Sequence, residues 1–123
     1  MQEIKKGLRL NSIDYYQTHL SLINCILPRD VRMTPKEIEV LGIFMSFEGE
    51  LAIHRFGPTA RKLVMQEAKI SPAGLSNYIT SLKSKGILEE AGDIIRIHQL
   101  LQVEKQEQFY RFRLQKITNE QEN

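Results

Sequence analysis

The sequence predicts one helix-rich α+β domain. Three observations carry this. Four stretches between residues 12 and 85 read as helices, each opened by a capping residue or a proline. Residues 87–98 read as strand, tight turn, strand. Tyr110, Phe112 and Leu114 alternate with Arg111 and Arg113, the pattern of a half-buried C-terminal strand. A length of 123 residues fits one domain.

Taken in order, Ile4, Leu8 and Leu10 suggest a short strand or arm. Asn11 and Ser12 are good caps, and Ile13, Tyr16, Leu20, Ile23 and Leu27 then recur on one face of a helix that Pro28 stops. Leu22, Cys25 and Ile26 widen that face, so the helix should be covered on more than one side. Thr34-Pro35-Lys36-Glu37 is a capping box with proline in the first turn. It opens an apolar helix through Ile38, Val40, Leu41, Phe44, Met45 and Phe47, ended near Gly49. Residues 50–56 alternate loosely and predict a short strand. Gly57-Pro58 breaks it, and a helix runs from Pro58 or Thr59 to about Ala68. Ser71-Pro72 starts another, which ends at Gly86 near Lys85. Ala91-Gly92-Asp93 is the turn between strands 87–90 and 94–98. His98-Gln99-Leu100-Leu101 either continues the strand or begins a short helix, and Gln102 to Gln108 is a polar connection. Residues 118–123 are polar, a frayed tail. The predicted divisions are an N-terminal arm and helix over 1–30, the main domain over 31–117, and the tail.

Charge is unevenly spread. Lys plus Arg is 17 and Asp plus Glu is 15, a net of +2. Residues 1–60 are neutral, 61–85 carry +4 and 86–123 carry −2. A polycation is excluded, and an anionic partner should be sought at 61–85. No apolar run reaches the ~18 residues of a membrane span. Met1-Gln2-Glu3-Ile4-Lys5-Lys6 lacks the apolar stretch of a secretory signal. With a single Cys25, a cytoplasmic location is expected and membrane association is not. No catalytic residue, metal site or cofactor is expected. His19, His54 and His98 are widely spaced and read as surface or satisfied side chains, Cys25 reads as core, and no phosphate-cradling glycine motif is present.

The most specific segment is 61–88. Val64, Ala68, Ile70, Leu75, Ile79 and Leu82 are apolar at helix–turn–helix spacing, and Gly86-Ile87-Leu88 follows as an exit into a strand. This stretch resembles the winged helix-turn-helix family of DNA-binding domains, of the MarR-like and related bacterial or phage regulators. The resemblance implies a winged helix with an added N-terminal helix and C-terminal strand, and a helix at about 72–85 that enters the major groove. The residues agree independently. Leu75, Ile79 and Leu82 share one face, and the opposite face carries Ala73, Asn77, Thr80, Ser81 and Ser84. Asn77 can pair bidentately with adenine. Ser76, Thr80 and Ser81 can donate or accept, and Ala73 can touch a thymine methyl. Arg61, Lys62, Ser71, Lys83, Lys85 and Arg96 are the candidate phosphate contacts.

The expected function is therefore sequence-specific binding of double-stranded DNA in transcriptional regulation. A homodimer is expected through the helix of residues 12–27, which would set two recognition helices in successive major grooves. The alternative is a protein–protein or assembly module that does not read DNA, attached to RNA polymerase, a replication complex or a phage particle. Three features favour it: no arginine on the 72–85 helix, a wing bearing Glu89, Glu90 and Asp93, and the low total charge.

Overall fold

The computed structural model describes residues 10–103 and 107–117. The expected arm at residues 1–9 and the expected tail at 118–123 lie outside the described residues. Within them the chain is helix-rich α+β, with five α-helices and one antiparallel hairpin.

Helix α1 spans Ser12–Asn24. The Asn11 side chain caps it by accepting from the Asp14 amide at 2.9 Å. Helix α2 spans Pro35–Met45 and carries the full capping box: Thr34 Oγ1 accepts from the Glu37 amide, and Glu37 Oε1 accepts from the Thr34 amide. Every residue from Val40 to Met45 is buried, so α2 is the central element. The two helices cross at Gly42. A Cβ there would meet Gln17 Cγ closer than packed atoms allow and would lie 3.3 Å from Gln17 Cα, itself a tight approach. Leu20 faces the core, with Ile13, Tyr16, Ile23 and Leu27 packed against it.

The apolar face of α1 is narrower than expected. Cys25 and Ile26 are exposed, because the α-helix has ended at Asn24 and they lie in the turn beyond. Leu20 of the predicted stripe is buried, and Ile13, Tyr16, Ile23 and Leu27 are half-buried against the core, chiefly on the side of α2.

Residues 50–56 do not form a strand. Gly49, at φ +64°, turns the chain into a one-turn helix α3 over Glu50–Ile53. The reason is Arg55, whose Nη1 donates to the carbonyls of Phe44, Met45 and Phe47 at 2.7, 3.1 and 3.2 Å. A guanidinium there satisfies the open carbonyls at the end of α2 and complements its dipole. Phe56 follows and packs on Phe44 with the rings tilted by 38° and their centroids 4.6 Å apart. Burial of one such ring contributes about 2 kcal/mol.

Helix α4 spans Pro58–Ala68 and α5 spans Pro72–Ser84, both packed on α2 and on each other. After α5, Gly86 takes φ +75°, and the Ile87 amide bonds back to Leu82 O at 3.0 Å. Strands β1 (Leu88–Ala91) and β2 (Ile94–Ile97) pair in the register Leu88 with Ile97 and Ala91 with Ile94, around Gly92 at φ +65°. Gln99–Leu101 is a single 3-10 turn, the second of the two readings offered for that stretch.

The C-terminal strand is not formed. Residues 107–117 have no ladder partner among the described residues, and the only sheet is the hairpin. Alternation gave this segment a strand pattern, yet neither face is covered: Phe112 and Leu114 are exposed, and only Gln108 and Tyr110 are half-buried. No described helix is long and apolar enough to cross a membrane.

Candidate nucleic-acid interface

Helices α4 and α5 are joined by Lys69, Ile70 and Ser71. Lys69 ends α4 in the left-handed region at φ 56°, and the Ile70 amide bonds Met65 O at 3.1 Å. Ile70 is half-buried against the core. Ser71 caps α5, its Oγ accepting from the Gly74 amide at 3.0 Å. Leu75, Ile79 and Leu82 are buried, so the orientation of α5 is fixed by the same three residues that the spacing singled out.

That orientation leaves Ala73, Ser76, Asn77, Thr80 and Ser84 exposed along the outer face of α5. The face is small, polar and uncharged. Ser81 departs from the expected set. It is half-buried and turned toward Glu37 of α2, where its hydroxyl helps to stabilise the carboxylate.

The cations divide into two groups. Lys62 and Lys69 are exposed on α4 and its exit turn. The others are engaged within the chain. Lys85 is not a free phosphate contact: its Nζ donates to the buried Glu37 Oε1 at 2.5 Å. Lys83 pairs with Glu90 at 2.6 Å, and Arg96 with Glu89 at 3.4 Å across the hairpin. Arg61 Nε donates to Phe56 O at 2.7 Å. Ser71 is exposed but spends its oxygen on the cap.

Glu37 is the electrostatic hinge of this arrangement. Burial alone would raise its pKa. The Lys85 hydrogen bond, the Thr34 amide, the Ser81 hydroxyl and the Lys85 charge outweigh burial and hold it below the usual carboxylate range. Glu37 Oε1 accepts from both Thr34 and Lys85, whereas Oε2 has no hydrogen-bond partner among the described residues. One side chain thus caps α2 and ties it to the end of α5. The S/T-x-x-E signal located the cap. No local pattern marked the Lys85 contact, which joins residues far apart in sequence.

Two further fixtures were missed. Arg55 looked like part of a strand. His19 looked like an isolated histidine, and it is buried between two partners. Its Nε2 donates to Leu101 O at 2.9 Å, because a carbonyl can only accept. Nδ1 is then the acceptor, and the Tyr110 hydroxyl donates to it at 2.5 Å. Burial pushes the His19 pKa down, against a smaller upward pull from the Leu101 carbonyl. Burial likewise raises Tyr110, with Tyr15 adding to it, so the phenol keeps its proton. His54 and His98 are exposed, and the His98 ring caps the 3-10 turn by accepting from the Leu100 amide.

An open groove of about 650 Å³ lies along β2, lined by Ile94–Ile97 on one side and His54, Arg55 and Phe56 on the other. Among the described residues no group of three or more His, Cys, Asp or Glu is placed to hold a metal ion.

No protein-family model, curated protein or solved structure matches this chain.

Proposed function

We propose that the chain binds double-stranded DNA in transcriptional control, with α4, α5 and the hairpin acting as a winged helix-turn-helix. The observation that carries this reading is the outer face of α5. Ala73, Ser76, Asn77 and Thr80 are exposed together on a helix held from behind by Leu75, Ile79 and Leu82. Side chains this short let a helix backbone approach base edges. Asn77 would read adenine, Ser76 and Thr80 would hydrogen-bond to bases, and Ala73 would touch a thymine methyl. Lys62 and Lys69 would hold phosphates with Ser71 nearby. Lys83, Arg96 and Arg61 would join them only by exchanging their present partners. Ser81 and Lys85 are assigned to Glu37 instead. A homodimer through α1, whose stripe is half-buried apart from the buried Leu20, would set two copies of α5 in successive major grooves.

The second reading is a protein–protein module on a polymerase, replication or phage assembly. One observation favours it: Lys83, Lys85 and Arg96 are all neutralised by carboxylates of the same chain.

The test is a titration of the full chain with duplex DNA at several salt concentrations. With Lys62, Lys69 and a few exchanged cations engaged, the log–log salt slope should be about −3 to −5. Asn77→Ala should relax sequence preference, at about 1–3 kcal/mol for the adenine it reads. Lys62→Ala should weaken all sequences alike. Absence of duplex binding at low salt rejects the DNA reading and leaves the assembly module.

A further inference from the structure

Residues 108–117 form a second surface with a chemistry unlike that of α5. The stretch from Gln108 to Ile117 holds Arg111, Arg113 and Lys116 and no carboxylate. Its backbone has no strand partner among the described residues. Among those residues, none of the three cations joins an ion pair. Phe109 is 87% exposed and Phe112 56%. Rings left in water forgo the burial that holds Phe44 and Phe56, so their exposure beside three cations calls for a partner. Nor is the segment loose where it begins. The Tyr110 hydroxyl is bonded to buried His19, and the Phe112 ring lies parallel to the Tyr110 ring at 6° with centroids 6.4 Å apart.

We propose that residues 108–117 are a binding site for single-stranded nucleic acid. Bases stack on Phe112 and Phe109, and phosphates pair with Arg111, Arg113 and Lys116. This is the recurrent chemistry of sequence-tolerant single-strand sites, aromatic platforms interleaved with cations on an extended backbone. An acidic peptide would use the cations but leave the rings without work. A second copy of this chain is disfavoured by charge at the open groove along β2, where Arg55 and Arg61 outnumber the one carboxylate, Asp93, and Arg96 is already paired with Glu89. A lipid surface is disfavoured because stable electrostatic anchoring uses clusters of about four to eight basic residues. The site is separate from α5 and does not depend on duplex reading.

Fluorescence anisotropy of the full chain with a labelled oligothymidine of about 15 nucleotides tests it. The parent should bind at low salt. Phe112→Ala should weaken binding about tenfold, Phe112→Trp should restore it, and Asn77→Ala should leave it unchanged. Phe112 is half in solvent, so these variants should melt as the parent does. The proposal is overturned if the parent does not bind, or if Phe112→Ala stays within twofold. It is also overturned if Phe112→Leu restores binding as well as Phe112→Trp, which would make the contact apolar rather than stacked. Sedimentation with phosphatidylserine vesicles under conditions where the oligonucleotide fails to bind would assign the segment to membranes and overturn it too.

Discussion

Helix α5 and the segment 108–117 invert what their charge counts suggest. The 61–85 region carries +4 and looks like the basic face of the molecule. Yet Lys85 is tied to Glu37, Lys83 to Glu90 and Arg61 to a backbone carbonyl, so the outer face of α5 is polar and neutral. Residues 86–123 total −2, and within them 108–117 hold three cations that form no ion pair among the described residues, beside exposed rings. Net charge by segment is therefore not available charge. What counts is which side chains the fold has already consumed.

The strongest test of that distinction is at Lys85. If the residue is structural, Lys85→Ala leaves the buried Glu37 carboxylate with its capping contacts and the Ser81 hydroxyl but no cation. Breaking one side of a buried pair costs about 3–5 kcal/mol. Because Lys85 is 19% exposed, about 3 kcal/mol is the expected loss, near 10 °C in Tm. Duplex affinity of the folded fraction should not change. A Lys85→Ala protein that melts normally but binds DNA weakly would return the residue to the phosphate set. The same pair sets an acid limit. Glu37 has a depressed folded pKa, so its contribution is complete above the ordinary carboxylate pKa and is lost as pH falls through the folded value. Glu37→Gln should remove part of the acid unfolding transition.

His19 is the next largest effect and concerns the other region. His19→Ala deletes a buried ring and its bonds to Leu101 and Tyr110, an expected loss of about 2 kcal/mol. It should also free residues 107–117 to limited proteolysis. The folded pKa of His19 is lowered, so its stabilisation is complete above the ordinary histidine pKa and is lost as pH falls through the folded value. On lowering the pH that loss begins before the Glu37 loss does, so thermal melts across the range should show the His19 contribution falling first. A His19→Ala protein with an unchanged melt between neutral and mildly acidic pH relative to its parent would refute the assignment.

The parts legible in the sequence were those whose cause is local. Caps at Asn11, Thr34 and Ser71, the face of Leu75, Ile79 and Leu82, and the Gly92 turn each depend on residues a few positions apart. The failures share a different cause. The strand expected at 50–56 lost to Arg55, which capped a helix end eight to eleven residues back. The strand expected at 110–114 has the right alternation, but pairing needs a neighbour, and alternation does not supply one. Of the site residues, the exposed row on α5 followed from helical spacing. Lys85 and Ser81 did not, because their partner Glu37 is more than forty residues away.

The smallest expected effect concerns Glu90. Its carboxylate is exposed, and the Lys83 hydrogen bond, with the Lys83 charge, holds its pKa below the usual range. An exposed pair of this kind adds little to stability, so Glu90→Gln should melt as the parent does. Its effect should appear on DNA instead. The substitution removes an anion from the hairpin and releases Lys83 at the end of α5, where a phosphate could take the vacated place. Duplex affinity should rise about threefold and the salt slope should steepen by about one. Oligothymidine binding should be unchanged, because residues 108–117 lie outside this pair. If Glu90→Gln leaves duplex affinity and slope untouched, Lys83 does not approach the phosphates, and duplex contact rests on Lys62 and Lys69 with Arg61 and Arg96.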